Sequence, residues 1–180
     1  MNDSLINRAK QYAASAHEAV NQVRKYTNEP YIIHPATVAS KVKQVTDDPR
    51  VIAAAWLHDT VEDTNVTLED IKNEFGLKIH DLVESLTDIS KSSDGNRKIR
   101  KELDRQHTKQ ASPEAKTIKL ADLIDNAHSI LSEDRKFAKV FIQEMKLLLE
   151  VLSEGDTSLY EEALDIVKQY ESAAIKRQLA

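Results

Sequence analysis

The stretch Val51-Ile-Ala-Ala-Ala-Trp-Leu-His58-Asp59-Thr-Val-Glu62-Asp63-Thr64 decides the reading of this chain. Pro49 can take the first helical position, where its missing N–H costs nothing and its φ is already helical. An apolar helix is therefore expected from Pro49 to about His58. It delivers His58 and Asp59 at its end, with Glu62 and Asp63 just beyond. If helical geometry continues, His58 and Glu62 lie one turn apart, as do Asp59 and Asp63. By residue type alone two readings stay open: a solvated acidic loop after a core helix, or a site.

Working outward, start and stop signals divide the rest of the chain into helices. Upstream, Ile6, Ala9, Ala13, Ala16 and Val20 recur at helical spacing, which predicts a first helix from Leu5 to about Lys25, ended by Thr27-Asn-Glu-Pro30. Pro35 predicts a second, to about Val45. Downstream, Thr67-Leu-Glu-Asp70 resembles a capping box and opens a short helix stopped by Gly76. Residues 90–96 are a polar loop, and a charged helix follows from about Asn96 to Gln110. Ser112 and Pro113 start another, as cap and first residue. Phe137, Val140, Phe141, Met145, Leu148, Leu149 and Leu152 form an apolar helical stripe, read as core, that closes at Gly155. Ser158-Leu-Tyr-Glu161 reads as a capping box for the last helix. No sustained alternation of β-branched residues occurs, and only three glycines and four prolines supply turns. The expectation is an all-α fold in one domain, residues 1–180, without internal repeats.

Composition excludes several function classes. Cysteine is absent, so there is neither a disulfide framework nor a thiolate metal site. The formal net charge of −5 lends no electrostatic support to nucleic-acid binding. Apolar runs fall short of the roughly 18–20 residues of a membrane span, and residues 1–20 do not resemble a signal peptide. A cytoplasmic protein with no membrane and no nucleic-acid partner is the expectation; oligomeric state is not readable.

Two further stretches carry chemistry. In Lys119-Leu-Ala-Asp122-Leu-Ile-Asp-Asn126, the residues Asp122, Asp125, Asn126 and Ser129 share one helix face beside apolar neighbours. The alternative is a helix salt-bridged to its surroundings. In Tyr31-Ile-Ile-His34-Pro35, His34 sits in an apolar segment and is expected to point inward. Two imidazoles and two carboxylates would make a mixed N/O donor set, suited to Mn²⁺, Fe²⁺ or Zn²⁺ rather than to an all-oxygen Mg²⁺ or Ca²⁺ site.

These residues resemble a known family. His34, His58-Asp59 and Asp122 match the H…HD…D pattern of HD-domain phosphohydrolases. The closer resemblance is to the hydrolase domain of RelA/SpoT-type alarmone enzymes and the small alarmone hydrolases. It rests on Gln22-Val-Arg24-Lys25, Pro30-Tyr-Ile-Ile-His34-Pro35, His58-Asp59-Thr-Val-Glu62-Asp63-Thr64 and Lys119-Leu-Ala-Asp122-Leu-Ile-Asp-Asn126, with Leu86-Thr-Asp88 and the basic stretch Arg97–Lys101 also familial. It spans about residues 5–132, with C-terminal helices from 134 to 176 completing the bundle.

The resemblance implies a helical bundle around one divalent ion, usually Mn²⁺, held by His34, His58, Asp59 and Asp122. It implies hydrolytic removal of the 3′-pyrophosphate from (p)ppGpp, leaving GDP or GTP. Glu62 and Asp63 would orient the attacking water and take its proton. Arg24, Lys25 and Asn126 would bind substrate, with Lys98, Arg100 and Lys101 as weaker phosphate candidates. For Arg24 and Lys25, expected at the end of the first helix, simple dipole complementation is the competing explanation. The family commonly carries Arg at position 123 and His or an aromatic at 125, whereas Leu123 and Asp125 stand here. That leaves (p)ppApp, the 2′-phosphate of NADPH and general HD nucleotide chemistry as alternatives. No synthetase domain follows, so degradation alone is expected.

Overall fold

The structure, a computed structural model, describes residues 2–178, with side chains from Ser4 to Lys176. The outermost residues of the expected 1–180 span, Met1, Leu179 and Ala180, lie outside the described residues. Ten α-helices follow one another among them: α1 Asn2–Ala19, α2 Ile33–Lys43, α3 Pro49–Leu57, α4 Thr60–Asp63, α5 Leu68–Phe75, α6 Leu77–Leu86, α7 Arg97–Lys109, α8 Pro113–Glu133, α9 Arg135–Leu152 and α10 Thr157–Gln178. The described residues contain no strand, only an isolated bridge between Val23 and Pro30. The all-α expectation holds.

Helix α3 is the hub. Asp48 caps it by accepting from the Arg50 amide at 2.9 Å, and Pro49 opens it. Every residue from Val51 to Leu57 is buried, because α1, α2, α6 and α8 all pack on it. The small side chains Ala53, Ala54 and Ala55 belong to the same buried cluster as Ala9 and Ala13 of α1, and their size lets helices approach closely. Helix α8 is the second spine: α2, α6, α9 and α10 also rest on it. The turn between α9 and α10 touches α8 so closely that a Cβ on Gly155 would lie 2.8 Å from Leu120 Cδ1 and 3.1 Å from the Lys116 carbonyl carbon.

Three expectations need correction. Helix α1 ends at Ala19 rather than at Lys25. Asn21 adopts φ 52°, its amide donates to the Glu18 carbonyl at 2.9 Å, and the Gln22 amide donates to the His17 carbonyl at 3.1 Å. This pair of bonds is a left-handed helix stop, which asparagine can supply in place of glycine. The chain then doubles back through residues 22–31, with the Arg24 amide on the Glu29 carbonyl at 2.8 Å. Arg24 and Lys25 thus sit on a loop, and a helix dipole no longer explains them.

At α10 the cap is Asp156, not Ser158. Its carboxylate accepts from the amides of Ser158 and Leu159 at 3.0 and 3.1 Å, and the Ser158 hydroxyl donates to it as well. On α9 the buried residues are Ala138, Ile142, Met145, Leu149 and Leu152, whereas Val140 is 44% exposed. The stripe is core, as expected, but rotated away from Val140.

Candidate metal centre

Four elements bring four side chains to one point. His34 comes from the first turn of α2, His58 from the C-terminal end of α3, Asp59 from the junction with α4, and Asp122 from the middle of α8. His34 Nε2 lies 3.3 Å from His58 Nε2, 3.4 Å from Asp59 Oδ2 and 3.2 Å from Asp122 Oδ1. His58 Nε2 lies 3.2 Å from Asp59 Oδ2 and 3.9 Å from Asp122 Oδ1. Both imidazoles are buried.

The other ring nitrogen of each histidine decides what these contacts are. His58 Nδ1 lies 2.9 Å from the Ala55 carbonyl, and His34 Nδ1 lies 2.6 Å from Asp125 Oδ2. In the neutral imidazole, an oxygen acceptor at Nδ1 places the proton there and leaves Nε2 as the lone pair available to a metal ion. Each Nε2 therefore faces the other imidazole and the carboxylate oxygens, an arrangement that is repulsive unless positive charge, as protons on the rings or as a metal ion, occupies the centre. Ligands about 2.0–2.2 Å from a common ion stand about 3–3.5 Å apart, the spacing of most of these pairs. The donor set fits a divalent metal.

The electrostatics agree. Burial alone would lower His34, yet hydrogen bonds to Asp122, Asp125 and Asp59 outweigh it and lift the imidazole to about 11. For His58, burial is likewise overcome by Asp59 and Asp122, and the group rises to about 9. Asp59 and Asp122 are held well below the usual carboxylate range: burial would raise them, but the histidines, and Lys119 beside Asp122, prevail. The centre is built to hold positive charge.

A second layer fixes these groups, part of it local to α8 and part of it remote in sequence. The Tyr31 hydroxyl donates to Asp59 Oδ2 at 2.6 Å; burial and the Asp59 charge raise its pKa, so it stays a donor. Lys119 Nζ lies 3.0 Å from Asp122 Oδ2, and Asn126 Nδ2 donates to Asp122 Oδ1 at 2.6 Å. Asn126, expected on substrate, is thus engaged with Asp122. Lys119 stands one turn before Asp122 on α8, a spacing that could have pointed to it.

Glu62 and Asp63 flank the centre differently. Glu62 Oε2 accepts from the Asp88 amide at 3.2 Å. Although its side chain reaches solvent, the protein crowding its carboxyl and the Asp88 charge push it up to about 7, against the pull of Lys119. Asp63 Oδ2 accepts from Gln22 Nε2 at 2.8 Å, and Gln22 Oε1 pairs with His17 Nδ1 at 2.6 Å. His17 is buried against the Tyr31 ring, its Nε2 without a partner among the described residues.

Arg24, Lys25 and Asn126 line one cleft of about 280 Å³, together with Tyr26, Tyr31 and Phe137. Arg24 is anchored to α8: Nη2 donates to Ser129 Oγ at 2.7 Å and to Asp125 Oδ2 at 3.2 Å. Lys25 reaches toward Tyr26 and Asp134 over the Phe137 ring. Of the basic stretch, Lys101 is spent on Asp88 at 2.7 Å and Arg97 on Glu144. Leu123 is 7% exposed and belongs to the core, so of the two departures from the family pattern it is Asp125 that reaches the cleft, through its contact with Arg24.

The HD-domain family matches residues 9–148, a span that contains all four donors. This chain belongs to the HD-domain family. The guanosine-3′,5′-bis(diphosphate) 3′-pyrophosphohydrolase MESH1 of Xenopus tropicalis is 38% identical over 130 residues, covering 71% of this chain and 70% of that one. The guanosine-3′,5′-bis(diphosphate) 3′-pyrophosphohydrolase of Aquifex aeolicus is 34% identical over 148 residues; the match takes in 79% of this chain but only 20% of that longer relative. Among solved structures, a metazoan ortholog of SpoT described as hydrolysing ppGpp superposes with a TM-score of 0.82 at 29% identity, over 92% of this chain and 95% of that one. The HD domain here contains no helix, among the described residues, long and apolar enough to cross a membrane.

Proposed function

We propose that this HD domain, residues 1–180 acting as one unit, is a metal-dependent hydrolase that removes the 3′-pyrophosphate from guanosine 3′,5′-bis(diphosphate) and its pentaphosphate counterpart. The products would be GDP or GTP and pyrophosphate. The observation that carries the reading is the convergence of two Nε2 lone pairs and two carboxylate oxygens beside Glu62. The names of the relatives, the MESH1 enzyme above all, supply the substrate class.

His34, His58, Asp59 and Asp122 would hold one divalent ion, Mn²⁺ by preference, with Fe²⁺ or Zn²⁺ as substitutes the N/O set also accommodates. Such an ion, when bound, lowers the pKa of a coordinated water and polarises a phosphoryl oxygen. Tyr31 and Lys119 keep Asp59 and Asp122 oriented through the hydrogen bond and ion pair described above. Glu62 would take the proton of the attacking water; a carboxyl raised to about 7 is matched to that task near neutrality. Asp63, steadied by Gln22 and His17, would orient the water. Arg24 and Lys25 would bind the nucleotide in the cleft, the guanidinium by planar contact and the ammonium as a point charge. Asn126, which lines the cleft, would contact substrate as well as hold Asp122.

A hydrolysis panel with Mn²⁺ tests the reading: guanosine and adenosine 3′-pyrophosphates, NADPH and deoxynucleoside triphosphates, with product identification. Release of pyrophosphate from the 3′ position of the guanosine substrate is expected. Phosphate released only from a 5′ position, or from NADPH, would overturn the assignment.

A further inference from the structure

We infer that Asp125 is a positioning residue that couples the metal centre to the nucleotide cleft, because one of its carboxylate oxygens is shared by His34 and Arg24. The inference rests on the metal and cleft assignments just proposed. Asp125 Oδ2 accepts from His34 Nδ1 at 2.6 Å and from Arg24 Nη2 at 3.2 Å. Ser129, one turn further along α8, holds the same Arg24 nitrogen at 2.7 Å. The Arg24 and Asp125 side chains are only 14% and 16% exposed, so water screens the contact poorly.

The two partners come from one segment. Arg24 lies on the loop after α1 and His34 on the first turn of α2, and this single oxygen docks both onto α8. Toward the metal it acts as the outer member of a carboxylate–histidine pair: it fixes the Nδ1–H tautomer, orients the ring and makes Nε2 a stronger donor. Toward the cleft it fixes the direction of the guanidinium and compensates its charge, leaving the remaining N–H groups of Arg24 without a protein partner among the described residues. A cation held at His34 Nε2 would draw electron density from the ring and strengthen the Nδ1–H bond to Oδ2, and that oxygen would then give up part of its hold on Arg24. Metal occupancy would thereby be felt in the nucleotide cleft, and by linkage the nucleotide would be felt at the metal. A histidine or aromatic at this position could not accept from both partners at once.

Two isosteric or near-isosteric variants separate the halves of this claim. Asp125→Asn keeps the shape but removes the shared anionic acceptor; Ser129→Ala touches Arg24 alone. Mn²⁺ affinity is measured by electron paramagnetic resonance without nucleotide, and cleft affinity by titration of a fluorescent GDP analogue, with thermal unfolding as the folding control. Asp125→Asn should weaken Mn²⁺ binding by about tenfold or more and weaken GDP binding as well. Ser129→Ala should weaken GDP binding only. In an Arg24→Ala background the effect of Asp125→Asn on GDP should vanish while its effect on Mn²⁺ persists. Unchanged Mn²⁺ affinity in Asp125→Asn, additive effects of Asp125→Asn and Arg24→Ala on GDP, or no GDP binding by the wild type would each overturn the coupling. Neither titration involves turnover, so failure of the coupling is distinguishable from failure of the hydrolase reading, which the pyrophosphate assay judges.

Discussion

Two groups of histidine and carboxylate side chains stand on this molecule, and their difference explains what makes one of them a site. On α6 the half-buried His80 and the exposed Asp81 and Glu84 have their potential donor atoms mutually close, as do His34, His58 and Asp59 in the interior. On α6, His80 Nδ1 is occupied by its neighbour Asp81 at 2.8 Å, and the Asp81 side chain is 55% exposed. In the interior, the Nδ1 atoms are tied to Ala55 and Asp125, so both Nε2 lone pairs are free to converge. Residue types are nearly the same in both places. The buried second layer (Asp125, Tyr31, Lys119 and Asn126) is what distinguishes them.

The largest expected effect comes from breaking the inner group. Asp59→Asn should remove activity altogether, measured as pyrophosphate release, with helical content by circular dichroism retained. Glu62→Gln comes next: turnover should fall by about 10²–10⁴-fold with Mn²⁺ still bound. The pH profile carries the same information. A carboxyl lifted to about 7 is protonated, and useless as a base, below that pH; the rate should rise with pH through a limb centred at or below about 7, since a bound cation would pull it down. Above it the rate levels off. Persistence of that limb in Glu62→Gln would remove Glu62 from the role.

A core change far from the donors tests whether fold and site are separable. Ile142 on α9 is fully buried, and Ile142→Ala should cost about 2–5 kcal/mol of stability in denaturant unfolding, with Mn²⁺ affinity of the folded protein unchanged. Asn126→Ala leaves one Asp122 oxygen without its partner and should weaken Mn²⁺ binding by about tenfold, while Lys119 keeps the other oxygen in place. The smallest effect belongs to the α6 group: His80→Ala should change stability by about 1 kcal/mol or less and leave turnover at the wild-type level.

Much of this was legible in the chain. The Pro49 and Pro113 helix starts, the Thr67 capping box and the helix start near Asn96 all stand where their local chemistry points. His34, His58, Asp59 and Asp122 do come together, because each sits at a fixed place on a helix that packs on the α3 and α8 spines. What was not legible depended on a choice between near-equal local options or on partners remote in sequence. Asn21 could continue a helix or stop it, and only the left-handed conformation shows which. Asp156 and Ser158 compete for one cap, and the carboxylate, placed to accept from two amides, wins. Tyr31 and Asp125 find their roles against Asp59 and His34, contacts that no local pattern encodes.

The most direct test counts metal ions rather than products. Mn²⁺ titration of the metal-free protein, followed by electron paramagnetic resonance, should give one tight ion per chain, lost in Asp59→Asn and fully retained in His80→Ala. A tight ion that survives Asp59→Asn, or one that disappears with His80, would contradict the assignment of the metal to the buried group.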